Sequence, residues 1–130
     1  MADVNRGNRP LSPHMQVYRL PLAAITSIMT RITGHALVAG ILLIVWWLVA
    51  AVSSAGAFAC ADWVLRSWLG FLILTGAMWA LWYHLLAGLR HLFYDAGYGL
   101  EIESAQKSSQ ALIAGSVGLA LLTLIIFFLF

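Results

Sequence analysis

The sequence predicts an all-α integral membrane protein, a three-transmembrane-helix bundle with a polar N-terminal arm. Its 130 residues are 62% hydrophobic and only 9% charged, whereas soluble domains average about 45–50% apolar and about 25% charged residues. Asp, Glu, Lys and Arg are missing from three stretches, Ile32–Ala61, Ser67–Leu89 and Ser108–Phe130. Each stretch reaches the roughly 20 residues that a helix needs to cross the hydrocarbon core. Because lipid cannot hydrogen-bond an open backbone, helices are the expected form of these spans.

Proline, glycine and serine positions predict where the elements begin and end. The whole chain, 1–130, is predicted to be a single membrane-anchor domain, with residues 1–20 as the proline-punctuated arm. Pro21 suits the first turn of a helix, where its missing amide is harmless. Gly97 and Gly99 indicate the end of the second span. Helices are predicted over about 21–53, 63–95 and 108–130.

The charge distribution predicts the orientation. Four arginines precede or open the first span, whereas the first connector carries only Asp62 and Arg66. The positive-inside rule then places the N-terminus in the cytoplasm and the C-terminus in the periplasm. No apolar h-region precedes the first span, so no signal peptide is expected. The expected location is the bacterial inner membrane, as a multi-pass protein.

The sequence excludes several classes of site. Cys60 is the only cysteine, so neither an internal disulfide nor a Cys-x-x-Cys cluster or zinc site is available. Without Cys-x-x-Cys-His, any haem must be held non-covalently. No nucleotide-binding glycine loop or catalytic-triad pattern is present, and no nucleic-acid partner is expected.

His84 is the most informative residue, because a histidine inside an apolar span costs free energy and is by default functional. At about 100° per residue, His84 shares one helical stripe with His91 and Asp95. The rest of the stripe is mostly small: Gly70, Ile73, Ala77, Ala80, Ala87 and Gly88. One interpretation is a flat haem ligated by His84 against the helix backbone. The alternative is close helix packing through the small residues, with His84 bonded to a neighbouring carbonyl.

Ser27, Arg31 and His35 form a second group, whose i, i+4, i+8 spacing places them along one helical face. The first predicted helix begins on the side where the second ends, so Arg31 is expected near His84 and His91. The five donors of Arg31 and the hydroxyl of Ser27 suit a quinone carbonyl or haem propionates. The alternative is that Arg31 snorkels to lipid phosphates and Ser27 bonds its own helix.

The motifs, taken together, resemble those of one family. They are Arg9-Pro10-Leu11-Ser12-Pro13-His14, Tyr18-Arg19-Leu20-Pro21, Ser27-Ile28, Arg31-Ile32-Thr33-Gly34, and His84-Leu85-Leu86-Ala87-Gly88-Leu89-Arg90-His91-Leu92 with Asp95. Arm, spans and motif order are similar to the cytochrome b membrane-anchor subunits of succinate dehydrogenase, respiratory complex II, of alphaproteobacterial and mitochondrial type. The likeness covers essentially the whole chain, and its combination of motifs is more specific than any one motif.

The resemblance implies a non-flavin membrane subunit of an enzyme that passes electrons from succinate to ubiquinone. It implies a second membrane-anchor subunit, an iron–sulfur subunit and a flavoprotein subunit as partners, and a haem b shared between the two anchors. His84 matches the family's axial haem ligand. Ser27 and Arg31 match its quinone-site serine and arginine, with Arg31 also near haem propionates. No carbon chemistry, and therefore no catalytic residue, is expected in this chain itself.

Some positions depart from the resemblance. Many members have histidine where this chain has Thr30, so one propionate contact is expected to be lost or supplied elsewhere. His35 matches no family ligand and is expected to pack or to lie at the haem edge, a His35–His84 ligand pair being the less favoured arrangement. His91 is assigned either to a propionate or to a pair with Asp95, and His14 to a docking surface.

Two rival functions stay open at this stage. One is the anchor of a fumarate reductase, which runs the same chemistry in the opposite direction. The other is a non-redox three-helix assembly or transport subunit whose polar residues only pack.

Overall fold

The computed structural model describes residues 18–130, and this part of the chain is helical throughout its regular structure. The helices are α1 (Leu22–Ser53), α2 (Ala55–Arg66), α3 (Trp68–Asp95) and α4 (Ile102–Leu129). The all-α prediction is therefore confirmed. The predicted arm and His14 lie almost entirely outside the described residues.

Three of the helices, α1, α3 and α4, are long and apolar enough to cross a membrane. The two shorter ones have 28 residues each, which at 1.5 Å per residue extends about 42 Å and covers the hydrocarbon core with its headgroup layers. The predicted number of spans is confirmed.

The short helix α2 lies between the end of the first predicted helix, at about 53, and the predicted start of the second, at about 63, and it extends past that start. Ser54 and Ser67 each begin a new helix by accepting a backbone hydrogen bond, from Ala57 and Gly70 respectively, at 3.1 Å in both cases. Such a cap satisfies an otherwise free amide and is typically worth ~1 kcal/mol. The second long helix consequently begins at Trp68 instead of near residue 63. The third begins at Ile102, earlier than the predicted 108.

The connector between α3 and α4 reverses the chain. Gly97 and Gly99 have φ values of +81° and +74°, a region in which a Cβ is strained and glycine is not. The prediction that these glycines end the second span is confirmed. The beginnings of α1 and α4 and the end of α3 therefore lie together, and we call this the N-terminal end of the bundle.

The interior of the bundle is small. Tyr83, Ala87 and Leu112 form its buried apolar cluster, where α3 meets its neighbours. In the most apolar part of each spanning helix, only 6% of the residues of α1 and 17% of those of α3 and α4 are buried within the chain. Most of the apolar surface is thus left for lipid or for other subunits.

Candidate functional site

The imidazole of His84 lies between α3 and α1 with one nitrogen engaged. Its Nδ1 is 3.2 Å from the backbone oxygen of Thr30 and 3.4 Å from the hydroxyl of Thr33. A carbonyl oxygen can only accept a hydrogen bond, so Nδ1 is the nitrogen that carries the proton in the neutral ring. Within residues 18–130, no hydrogen bond engages Nε2. His84 therefore holds a lone pair available to a metal on the nitrogen that faces away from Thr30.

Gly34 allows this imidazole to lie against α1. A Cβ at position 34 would be 3.2 Å from Cε1 of His84, which is closer than side chains normally pack. Further along the stripe, a Cβ on Gly40 would meet Ala77 at 3.4 Å, and Ala80 and Ala87 are buried. The small-residue stripe thus serves helix packing, and His84 is bonded to a carbonyl. Both features match the packing alternative, yet they leave Nε2 free.

A groove of about 300 Å³ adjoins His84 on the outer face of α1 and α3. Arg31 and His35 line it together with His84, so the structure brings together two residues that the sequence grouped and one that it left unmatched. The Nδ1 of His35 lies 2.7 Å from the backbone oxygen of Arg31, and by the same argument its Nε2 is the unprotonated nitrogen. The side chain of Arg31 is exposed and forms no ion pair with any described residue. The groove therefore presents one guanidinium and two histidine rings.

Other residues singled out in the sequence lie outside this groove. Ser27 is half-buried one turn before Arg31 and does not line the groove. His91 is exposed and meets the Tyr94 ring edge-on, with 6.1 Å between ring centroids. Across residues 18–130, the ion pairs are Asp62–Arg66 and Glu103–Lys107, so the His91–Asp95 pair considered above is not formed.

Thr30, which stands where many members of the family have histidine, has its hydroxyl engaged in a hydrogen bond within α1. Its hydroxyl donates to the backbone oxygen of Thr26 at 2.9 Å, one turn back on α1. Its own backbone oxygen receives the His84 hydrogen bond. The threonine hydroxyl is therefore used within α1, while the carbonyl orients the histidine.

A buried arginine joins the three spanning helices at the N-terminal end of the bundle. Arg90 is 8% exposed, and its Nη1 donates to the hydroxyls of Thr26 on α1 and Ser109 on α4 at 3.1 and 2.9 Å. Tyr83 donates to the backbone oxygen of Thr26 at 2.9 Å. Hydrogen bonds to charged groups contribute about 1.5–3 kcal/mol, so this cluster fixes the positions of α1, α3 and α4 relative to one another.

The Arg90 cluster lies one residue away from two predicted site residues. Thr26 precedes Ser27, and Tyr83 precedes His84. The sequence analysis names Arg90 only as part of the motif that runs from His84 to His91 and assigns it no structural role. The available signal was its spacing of seven residues from Tyr83, two helical turns on one face of an otherwise apolar helix.

Comparison with known proteins identifies the family of this chain. Residues 5–126 match the family of succinate dehydrogenase/fumarate reductase transmembrane subunits. The succinate dehydrogenase cytochrome b556 subunit of Paracoccus denitrificans is 89% identical over the full length of both chains. The cytochrome b560 subunit of Reclinomonas americana is 39% identical over 92% of this chain and 87% of its own. The mitochondrial cytochrome b560 subunit of Bos taurus is 38% identical over 87% of this chain and 70% of its own.

These matches span the arm, the groove at His84 and all three membrane spans. They agree with the family that the sequence motifs resemble. The chain belongs to the succinate dehydrogenase/fumarate reductase transmembrane subunits, as a membrane anchor of the cytochrome b type.

Proposed function

We propose that this chain is the haem b-containing membrane anchor of a succinate:ubiquinone oxidoreductase. The observation that carries the proposal is the free Nε2 of His84 in a groove that also presents Arg31. The cytochrome b names of the relatives support a haem, and their designation as succinate dehydrogenase subunits favours electron flow from succinate. The family description also covers fumarate reductases, so that direction is the second candidate.

The residues around the groove fit a haem b. His84 would ligate the iron through Nε2, while the bond from Nδ1 to the Thr30 carbonyl holds the ring in the required tautomer and orientation. Arg31 would pair with a propionate through a charge-assisted hydrogen bond. His91 is a further candidate for a propionate, and His35 would lie at the haem edge. When bound, the group would supply one-electron redox chemistry whose potential depends on ligand type and burial.

The groove offers only one wall, which supports a haem shared with another chain. It is formed by α1 and α3 alone, and its lining residues Arg31, His35 and Val38 are exposed. The second axial ligand and the second wall would come from the second membrane-anchor subunit. The iron–sulfur and flavoprotein subunits would dock at the N-terminal end of the bundle, which we place on the cytoplasmic side of the inner membrane.

Ser27 and Arg31 would bind ubiquinone on the face of α1 that continues from the groove. Reduction of the quinone takes two electrons and two protons, and its oxygens gain negative character as electrons arrive. The Arg31 guanidinium would stabilise that charge, because charge-assisted hydrogen bonds are roughly twice as strong as neutral ones. The Ser27 hydroxyl would hydrogen-bond the quinone and orient it.

An optical spectrum of the purified complex tests the proposal. We expect a b-type absorption band in the reduced-minus-oxidised difference spectrum, in a preparation that also contains the other three subunits and oxidises succinate with ubiquinone. A complex without the band would support the non-redox alternative. A complex that reduces fumarate with quinol faster than it oxidises succinate would support the opposite direction.

A further inference from the structure

A second cavity lies between α3 and α4, away from the groove at His84. It has a volume of about 440 Å³ at the N-terminal end of the bundle and shares no lining residue with that groove. Arg90 lines it, and six residues after His84 correspond to about 240° around α3, so the two sites lie on different faces of the helix. Leu89 and Phe93, at the mouth, are 45% and 64% exposed. The cavity therefore opens to the outer surface of the bundle.

Arg90 brings an uncompensated positive charge to this cavity. The two hydrogen bonds of its guanidinium both use Nη1, and both go to neutral hydroxyls. Nε is buried without a hydrogen-bond partner among residues 18–130, and neither ion pair in this part of the chain includes Arg90. A buried charge without an opposite charge is costly, and arginine stays protonated. The cavity therefore calls for an anionic group.

The other residues that line the cavity indicate what the rest of the ligand must be like. Leu86, Leu89, Phe93 and Leu112 form an apolar surface, whereas Tyr94 and Ser108 place two hydroxyls near Arg90. These hydroxyls lie 3.1 Å apart, and the Arg90 guanidinium is 5.6 Å from the centre of the Tyr94 ring. Ser108 donates its proton to the backbone oxygen of Ala105, so Tyr94 donates to Ser108 and both hydroxyl protons are used within the chain. The donor left for a ligand is the Arg90 guanidinium, which suits a phosphate. A ligand that fits has an anionic head and an apolar body.

The depth of Arg90 suits a lipid headgroup. Arg90 is five residues before the end of α3, about 7–8 Å along the helix axis. Basic pockets between spanning helices near a membrane surface bind anionic lipid headgroups. A quinone fits less well, because its neutral oxygens would leave the charge uncompensated. We propose that the cavity between α3 and α4 binds an anionic phospholipid, with its phosphate at Arg90 and an acyl chain along Leu86 and Leu89.

The test uses the assembled complex and two variants of the cavity. Arg90→Gln removes the charge, and Ala111→Trp fills the cavity while leaving the Arg90 hydrogen bonds intact. Ala114→Trp is the matched control, since Ala114 is another exposed alanine of α4 that does not line the cavity. Lipid retained by each complex is counted by mass spectrometry. Phosphatidylglycerol or phosphatidylcholine is then added, and the thermal unfolding midpoint is measured.

We expect wild type and Ala114→Trp to retain one phosphatidylglycerol more than Ala111→Trp and Arg90→Gln. Both variants should bind the added anionic lipid about tenfold or more weakly. Phosphatidylglycerol, but not phosphatidylcholine, should raise the midpoint of wild type. If the complex with Arg90→Gln does not assemble, lipid retention is compared between Ala111→Trp and its control Ala114→Trp.

Four results would overturn the proposal. Ala111→Trp retaining as much lipid as Ala114→Trp would mean that the cavity is not a lipid site. An equal rise of the unfolding midpoint with phosphatidylcholine would show that the site does not select for a negatively charged lipid. Displacement of the lipid by added ubiquinone, or no retained lipid in wild type, would assign the cavity to a quinone or to a partner subunit. These readouts do not depend on haem or quinone reduction, so they are independent of the proposed function.

Discussion

The Nδ1 atom of His84 on α3 lies 3.2 Å from the backbone oxygen of Thr30 on α1. This contact decides which nitrogen of the ring remains free. It also links the orientation of His84 to the backbone of α1 next to Arg31, so the imidazole and the arginine are positioned by the same turn of α1. Such outer contacts orient metal-binding histidines and affect both affinity and redox potential.

His84→Leu should abolish the low-spin haem signal, since leucine has no ligand nitrogen. Haem content and the electron paramagnetic resonance spectrum of the purified complex measure this. His91→Leu is the control, because His91 is exposed and outside the groove. It should keep the low-spin signal, with at most a change in potential. An unchanged low-spin spectrum in His84→Leu would show that His84 does not ligate the haem.

Gly34→Ala should shift the haem potential and weaken haem retention. The added Cβ would lie 3.2 Å from Cε1 of His84 and push the ring away from α1. Gly40→Ala places a Cβ on the same helix at 3.4 Å from Ala77, an ordinary contact, and should leave the potential unchanged. Alanine is favoured over glycine within a helix by about 1 kcal/mol, so a loss in Gly34→Ala alone is a local effect. Equal haem potentials in Gly34→Ala and Gly40→Ala would show that the contact between Gly34 and His84 does not affect the haem.

Ser27→Ala and Arg31→Leu should lower succinate–ubiquinone activity by about 10- to 100-fold, the range expected for losing a hydrogen bond to a charged group. Succinate oxidation with an artificial acceptor that takes electrons before the quinone should persist. Arg66→Leu is the control, because Arg66 is an exposed arginine at the end of α2, away from the N-terminal end of the bundle. Equal loss of both activities in an assembled complex would argue against a quinone role. Full quinone activity would favour lipid snorkelling by Arg31.

Tyr83→Phe should destabilise the bundle by about 1 kcal/mol, because it removes the hydrogen bond from α3 to the backbone oxygen of Thr26 on α1. Thermal unfolding of the complex in detergent measures this. Tyr98→Phe is matched, since Tyr98 is 69% exposed in the connector, and it should change the midpoint little. If the two variants unfold alike, the Tyr83 hydroxyl does not hold α1 to α3.

The orientation can be tested with the native cysteine. Cys60 lies exposed on α2, at the end opposite Asp95, and should react with a membrane-impermeant maleimide from the periplasm. In a Cys60→Ser background, Glu101→Cys in the connector should react only after the inner face is opened. The reverse pattern would invert the proposed topology and move the site at Arg31 to the outer surface.

The spans were predictable because composition and periodicity are local properties. Three charge-free stretches of sufficient length needed no tertiary information, and Gly97 and Gly99 ended α3 as expected. The end of α1 at Ser53 agrees with the predicted bound of about 53, but the short helix α2, which begins after Ser54, was missed. The signal was present as a serine followed by an alanine-rich segment, which is an N-cap pattern.

The site was predictable only in part. His84 and Arg31 were grouped because both lie near the same end of neighbouring helices. The choice of nitrogen was not predictable, since it depends on where the carbonyl of Thr30 lies after packing. Arg90 was overlooked because Ser109, its partner on α4, becomes a neighbour only when the third span has docked.

The hydrogen bond between Arg90 and Ser109 can form only after α4 has been synthesised and packed against α3. The ribosome delivers α1 and α3 before α4, so Arg90 enters the bilayer with the hydroxyl of Thr26 in reach while that of Ser109 is still to come. Until α4 arrives, the guanidinium lacks one of the two hydrogen bonds that it makes in the folded chain. Docking of Ser109 on Arg90 then completes the pair of hydrogen bonds through which Arg90 joins α1, α3 and α4.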